Sequence, residues 1–179
     1  GGPGDVRALE EENTDHGHAT MLMPMIERAR QKAGCAYGDF SRIAVAVGPG
    51  SFTGLRVGLA AALGIGLAAG IPVVGVSSFL TVAHGAMDER HGRRVFALLD
   101  SRREEPFLAE VDDSLQFVGP PIVVSLDELD AILASAGPLI LTGDAPAMGR
   151  YAEQRGIHII QSMPGALFVA LLAADPEGR

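Results

Sequence analysis

Gly48-Pro-Gly-Ser-Phe-Thr-Gly-Leu-Arg-Val-Gly58 is the stretch that decides the fold, because it joins two elements of different periodicity. It follows Arg42 to Val47, a short β-branched run that predicts a buried strand. It opens a helix predicted over Ser51 to Ala69, and Val73 to Val76 is predicted as the next buried strand. Strand, glycine turn, helix and strand in this order indicate an α/β fold.

The same glycine loop is a candidate nucleotide or phosphate site. Gly48 and Gly50 permit tight or positive-φ backbone, Ser51 and Thr53 offer hydroxyls, and Gly54 lies in the first turn of the helix. Backbone N–H groups at a helix N-terminus can receive an anion. The alternative is that the glycines only make a turn and let the helix pack close to the sheet. The pattern supports the two interpretations equally.

Two common phosphate motifs do not fit this loop. A dinucleotide fingerprint would need the third glycine one place earlier and an acidic residue after the next strand, where Gly75-Val-Ser-Ser stands instead. The chain also has no Gly-Lys-Ser or Gly-Lys-Thr, which a P-loop requires. An autonomous P-loop ATPase is therefore not expected.

The bulk composition predicts a globular cytoplasmic protein. The 179 residues are 47% hydrophobic, and the formal net charge is −8. This charge has the wrong sign for gripping a polyphosphate, so any contact with nucleic acid is expected to be indirect. Cys35, the single cysteine, fits a reducing compartment, and the polar residues Gly1 to Asp15 do not resemble a signal peptide.

A charge-free run from Val57 to Val76 has the length of a membrane span. It contains five glycines and Pro72, and Gly70-Ile-Pro is typical of a helix end. We therefore expect two buried elements of a soluble protein and no membrane partner.

The rest of the chain alternates between strand and helix patterns. Val6 to Glu12 is predicted as a strand, and a helix with an irregularity at Pro24 is predicted from Thr14 or Asp15 to about Lys32. The later predictions are a helix at Thr81 to Met87, a strand pair at Arg94 to Asp100 and Phe107 to Val111, a capping box at Ser125-Leu-Asp-Glu128 opening a helix to about Ala134, strands at Leu139 to Thr142 and Ile157 to Ile160, and a helix from Pro164. A mostly parallel sheet with helices on both faces follows.

Other polar clusters give weaker signals. His16 and His18 are two residues apart with no third ligand nearby, so a metal site is not predicted. Asp100 and Arg102 follow a strand and either contact a ligand in a cleft or form a solvated turn. Asp144 lies in a second such turn.

The glycine block, together with Gly66-Leu-Ala, Pro72 and Gly75-Val-Ser-Ser, resembles the TsaB (YeaZ) family. His18 with Leu22-Met-Pro-Met-Ile, and Asp100-Ser-Arg102 with Glu105, resemble further segments of that family, and the match spans about residues 13 to 111. The resemblance implies the actin-like ATPase (ASKHA) fold, an α/β architecture of ribonuclease H-like lobes with a mixed central sheet flanked by helices. The expected lobes are residues 1–99 and 100–179.

The resemblance also implies a non-catalytic partner of TsaD, which transfers a threonylcarbamoyl group to the adenosine beside the anticodon of tRNA. The ATPase TsaE joins the assembly, and TsaC makes the threonylcarbamoyl donor. No catalytic residue and no resident cofactor are expected, with ATP or ADP only at the interface with partners. A phosphotransferase of the actin-like superfamily or a metallopeptidase is the competing hypothesis. TsaD-type proteins carry His-x-x-x-His, whereas Leu22 follows His18 here and cannot bind a metal.

In the family, the histidine-led helix and the glycine-loop helix pack against their counterparts in TsaD. On pattern alone, Met21, Met23 and Met25 favour an ordinary core. The resemblance instead predicts a partner surface, and a homodimer through the same face when TsaD is absent. The residues predicted for this surface are His18, Met21, Leu22, Met25, Ile26, Ala29, Phe52 and Arg56.

The chain departs from the family pattern at both ends. It begins after the strand and hairpin that carry an Asp-Thr-Ser or Asp-Thr-Ala signature, and it lacks the Pro-x-Tyr-Leu-Arg tail. We expect that the sequence omits segments of the protein. Without the first strand, half of a nucleotide cleft would be missing and two strand edges would be exposed.

Overall fold

Two sheets organise the chain in a computed structural model that describes residues 5–12 and 18–174. The helices are α1 (His18–Ala33), α2 (Phe52–Ala69), α3 (Ser78–Ala86), α4 (Leu126–Ser135) and α5 (Ala166–Ala174). The strands are β1 (Ile43–Gly48), β2 (Val73–Ser77), β3 (Arg94–Leu99), β4 (Phe107–Val111), β5 (Ile122–Val123), β6 (Leu139–Gly143) and β7 (Ile157–Gln161). Short 3-10 helices cover Tyr37–Asp39, Met87–Glu89 and Pro146–Tyr151.

The first sheet contains β1 and β2, which pair in parallel. Helix α2 packs on one face, where Gly58 and Gly66 lie against Val45 and Val73. Helix α5 covers the other face with a cluster that includes Val169. Within the described ranges, β1 pairs with β2 and with no other strand. The unit is therefore a thin sheet between two helices.

The second sheet has the order β5-β4-β3-β6-β7. Strand β3 lies at its centre, antiparallel to β4 and parallel to β6. Helix α3 buries Phe79 and Val82 on one face, and α4 buries Leu129 and Leu133 in the cluster on the other. This sheet starts at Arg94, on the N-terminal side of the predicted boundary at residue 99, and the division into lobes stays a prediction.

Several local predictions are confirmed. Ser125 Oγ accepts a hydrogen bond from Glu128 N at 3.3 Å, and Glu128 Oε2 accepts one from Ser125 N at 2.9 Å. This capping box starts α4, and its two Ser125 donors lower the pKa of the Glu128 carboxyl. The predicted strand pair, β3 and β4, forms an antiparallel hairpin.

One prediction from periodicity is wrong. Val6 to Glu12 form no strand; Glu10 instead pairs with Arg28 at 3.1 Å and with Lys32, which ties the segment to α1. The predicted parallel pairing is found in three strand pairs, β1–β2, β3–β6 and β6–β7, whereas β4 pairs antiparallel with β3 and β5 because the short turn from β3 to β4 allows only antiparallel pairing.

The predicted burial of the charge-free run is also wrong for its helical half. By length and composition α2 is apolar enough to cross a membrane, yet only 11% of it is buried. The buried residues on this helix are Ala62 and Gly66, which face the sheet. Full burial is limited to this narrow stripe, and the large apolar residues Phe52, Leu59, Leu63 and Leu67 are exposed. Helix α1 continues through Pro24 without a break, and the predicted caps at Thr14 and Asp15 lie outside the described residues.

Gly66→Ala is expected to destabilise the fold by about 1 to 3 kcal/mol, because of overpacking. Its Cβ would lie 2.6 Å from Val73 Cγ2 and 2.9 Å from the Ile71 carbonyl oxygen. Gly64→Ala is the matched control: its Cβ would meet nothing within 4 Å, and alanine favours a helix over glycine by about 0.5 to 1 kcal/mol. Urea denaturation checks both, and equal gains in stability would contradict the close packing.

Candidate functional site

The glycine loop is a turn closed by a helix cap. Gly48 ends β1 with φ +106°, where a Cβ would lie 3.1 Å from Leu55 Cδ1. Ser51 is the N-cap of α2, and its Oγ accepts a hydrogen bond from Gly54 N at 3.3 Å. Gly50 and Thr53 are exposed. The turn-and-cap interpretation therefore accounts for the loop's own contacts, and anion binding stays a prediction.

A cavity of about 370 Å³ lies beside this loop. Its lining residues are Gly48, Pro49, Ser77, Phe79, Phe107, Phe117, Pro121, Ile122 and Val123. None of these carries a charge, and Ser77 Oγ already donates to the Gly48 carbonyl oxygen at 3.4 Å. The lining is suited to an apolar group and offers no cation to a phosphate.

The predicted cleft residues lie together at the ends of two neighbouring strands. Asp144 Oδ1 accepts a hydrogen bond from Asp100 N at 2.9 Å. Asp100 Oδ1 accepts one from Arg102 N at 2.8 Å, and the Arg102 guanidinium lies 3.4 Å from Asp100 Oδ2. The bond from Arg102 N to Asp100, two residues away, is that of a turn, whereas the bond from Asp100 N to Asp144 joins the ends of β3 and β6. They favour the turn interpretation, and contact with a ligand stays a prediction.

The most unusual surface is the leucine face of α2, formed by Phe52, Leu59, Leu63 and Leu67. Leu67 is 88% exposed, Phe52 69% and Leu63 52%. Arg56, the one charged residue of this helix, lies over the Phe52 ring at 4.1 Å from its centroid. Contiguous exposed apolar surface of this kind marks an interaction site more often than a solvated face.

A groove of about 720 Å³ lies beside the leucine face, between α1, the 3-10 helix Tyr37–Asp39 and α2. We call it the helix groove. It is lined by Met23, Tyr37, Gly38, Ala60, Ala61, Gly64, Ile65, Ala68 and Ala69. Its α2 side consists mainly of small residues, so it is open to a bulky group from outside.

The predicted interface residues divide between exposed and half-buried positions. Phe52 and Arg56 are exposed as an interface requires. Met21, Leu22, Met25, Ile26 and Ala29 are half-buried, and the side chain of His18 lies outside the described part of the chain. Sequence reasoning missed Met23, which is 45% exposed and lines the groove, and the exposed leucines of α2. The leucines are spaced four residues apart, which indicates one face of a helix, but a charge-free run predicts burial of every face.

Ion pairing and hydrogen bonding hold the Tyr37 wall of the groove in place. Glu27 Oε2 accepts from Arg30 Nε at 2.9 Å and from the Tyr37 hydroxyl at 3.5 Å. The Arg30 guanidinium also donates to the Cys35 carbonyl oxygen at 2.7 Å and lies 5.4 Å from the Tyr37 ring centroid. The hydrogen bonds from Arg30, and then from Gln31, lower the pKa of Glu27 to about 2.

No metal-ligating cluster is visible in the described ranges. Among residues 5–12 and 18–174, no group of three or more His, Cys, Asp or Glu side chains is placed to hold an ion. The single free cysteine, Cys35, is half-buried. The expectation of a chain without a metal stays a prediction.

Comparison with known proteins decides the family. The family described as TsaD, tRNA N6-adenosine threonylcarbamoyltransferase, matches residues 11–134. The Escherichia coli tRNA threonylcarbamoyladenosine biosynthesis protein TsaB is 38% identical over 52% of this chain and 40% of its own length. A YeaZ structure from Pseudomonas aeruginosa superposes with a TM-score of 0.76 at 26% identity, over 90% of this chain and 78% of that one. The chain belongs to the TsaB (YeaZ) family.

Further relatives agree with this assignment. An uncharacterised protein of Mycobacterium tuberculosis is 30% identical over 88% of the chain and 70% of its own length. The chain thus aligns with less than half of the E. coli TsaB and with more of the mycobacterial relative. The likeness to YeaZ, with its mixed sheet flanked by helices, confirms the predicted actin-like α/β fold.

Glu27→Gln is expected to lower stability at neutral pH and to lose this effect in acid. The pKa of Glu27 falls from an ordinary 4.5 to about 2 on folding, so its contribution is present above pH 4.5 and is lost as the pH falls towards 2. Urea unfolding of both proteins across this range measures the difference. A gap between wild type and variant that stays constant down to pH 2 would contradict the paired arrangement.

Proposed function

We propose that this chain is a non-catalytic subunit in tRNA threonylcarbamoyladenosine biosynthesis and that it binds TsaD through the leucine face and the helix groove. Membership of the TsaB family supports the pathway. The observation that carries the partner role is the exposure of α2, an apolar helix of 18 residues of which Ala62 and Gly66 alone are fully buried. Exposing an apolar surface of this kind to water costs free energy, and a partner that covers the surface removes this cost.

A protein partner accounts for this surface better than a membrane does. The chain has a net charge of −8, which opposes approach to anionic lipids. Helix α2 carries Arg56 alone among charged residues, whereas helices that lie on membranes are rich in basic side chains. The neighbouring groove also presents a shaped surface, which a fluid bilayer does not require.

The proposed absence of a catalytic role is supported by the hydrogen bonds of the polar groups at the candidate sites. Ser51 caps α2, and Asp100 and Asp144 accept hydrogen bonds from nearby backbone. The cavity beside the glycine loop has no charged lining residue. These groups are engaged in holding turns, so TsaD is proposed to supply the chemistry, with TsaE in the same assembly and ATP or ADP only at interfaces between subunits.

The remaining parts of the proposal follow from this role. The net negative charge supports the proposal that tRNA is contacted only indirectly. We also propose a cytoplasmic location, because the proposed partner is a tRNA-modifying enzyme. When TsaD is absent, a second copy is proposed to cover the same face as a homodimer.

Leu67→Glu is expected to abolish co-elution with TsaD in size-exclusion chromatography, because it buries a charge in the interface. Leu67 is 88% exposed in the free chain, so the fold should be unaffected. Met163→Glu is the matched control, since Met163 is 64% exposed after β7 and lies outside both the leucine face and the groove. Co-elution that survives Leu67→Glu would argue against this interface.

Reconstitution tests the function itself. Purified TsaC, TsaD and TsaE, with threonine, bicarbonate, ATP and tRNA, should form much more modified tRNA when this chain is added. The Leu67→Glu variant should give no increase. Hydrolysis of ATP by the chain alone, or stoichiometric bound zinc or iron, would favour the phosphotransferase or the metallopeptidase instead.

A further inference from the structure

We propose that the cavity beside the glycine loop is a binding site for a small neutral aromatic molecule that carries one N–H or O–H donor. The cavity shares no lining residue with the helix groove, and no residue of the leucine face lines it, so the inference does not depend on the proposed partner. It assigns a ligand class to the place where the glycine pattern allowed a nucleotide or phosphate.

The cavity lies between the two sheets. Gly48 ends β1 and Ser77 ends β2, while Phe107 belongs to β4 and Val123 to β5. In open α/β sheets, ligands bind in the crevice outside the carboxyl ends of the strands. The volume of about 370 Å³ lies within the range of small-molecule sites. The cavity therefore has the position and the size of a ligand site, and both sheets contribute to it.

The walls of the cavity are aromatic. Phe79 and Phe117 meet edge to face, with ring centroids 6.1 Å apart and ring planes at 89°. Phe107 is a third phenylalanine in the lining. Phe79 is held in the core at 3% exposure, whereas Phe117 is 37% exposed. Aromatic rings that meet edge to face or offset gain energy beyond the burial of their area, so this lining favours an aromatic ligand over an aliphatic one.

The cavity offers nothing to a charged ligand. None of the nine residues that line it in the described part of the chain carries an ionisable side chain. A phosphate or carboxylate that entered would lose its hydration without gaining a cation, which is costly. The ligand is therefore neutral.

Ser77 supplies the one polar side chain of the lining. Its Oγ donates a hydrogen bond to the Gly48 carbonyl oxygen at 3.4 Å, so the hydroxyl proton is already engaged. The oxygen of a hydroxyl has two lone pairs and can still accept a hydrogen bond. Pro49 and Pro121 also line the cavity and have no backbone N–H. The ligand is therefore a hydrogen-bond donor, as an indole N–H or a phenol O–H is.

Indole and indene test this assignment, because the two bicyclic molecules have nearly the same shape and only indole carries an N–H. In a ligand-observed NMR titration, the wild-type chain should bind indole with a dissociation constant of about 1 mM or tighter. Ser77→Ala should weaken indole binding by about 2- to 10-fold, because one hydrogen bond is lost, and should leave indene binding unchanged. Equal weakening of both probes would contradict the proposed donor contact. Thermal unfolding of each variant checks that the fold is intact.

Val123→Trp tests the location by filling the cavity. Val123 is 54% exposed, so the fold should accept the larger side chain, and binding of both probes should weaken by about 10-fold or more. Val118→Trp is the matched control: Val118 is 58% exposed, does not line the cavity, and its variant should bind as wild type does. Val123→Trp should also still co-elute with TsaD, so this inference and the proposed function fail separately. Indole binding weaker than about 1 mM, or binding that Val123→Trp leaves unchanged, would overturn the site.

Discussion

The close approach of α2 to the β1–β2 sheet is the contact on which the rest of the surface depends. Gly66 has no Cβ, and its place beside Val73 and the Ile71 carbonyl leaves no room for one. Only a narrow stripe of the helix therefore touches the sheet, and Ala62 and Gly66 are its buried residues. Leu59, Leu63 and Leu67 of the same helix are exposed. Packing within the chain requires glycine at position 66, and the same packing determines how much apolar surface of α2 remains exposed to a partner.

The glycine loop forms the start of the same helix. Its polar atoms begin α2, through the Ser51 cap, and the Ser77 hydroxyl holds the Gly48 carbonyl in the adjoining turn. The cavity beside it is lined by phenylalanine, proline and aliphatic side chains. The loop has the glycine pattern and the position of a phosphate loop, but the cavity beside it has no charged lining residue. In a relative of a transferase, such a loop is consistent with a structural role that sets the direction of an interface helix.

Local patterns predicted most elements correctly because they report interactions between near neighbours. The capping box at Ser125 and the hairpin of β3 and β4 depend on a few adjacent residues, and both are confirmed. Val6 to Glu12 was predicted as a strand from its residues alone, but pairing of Glu10 with Arg28 and Lys32 ties it to a helix. The contacts of this segment come from distant residues, which a local pattern does not include.

The sequence by itself determined that a strand, a glycine turn and an apolar helix follow one another, and the motifs in that order indicated the family. It also specified which residues are apolar. Only the tertiary structure decided which of them are covered, because hydrophobicity measures the cost of exposure and not the presence of a neighbour. Leu67 and Leu98 are the same residue type, yet one is 88% exposed and the other is fully buried. This difference in exposure is set by packing across the fold. Because of it, α2 is a candidate interface helix and not the buried helix that its sequence predicts.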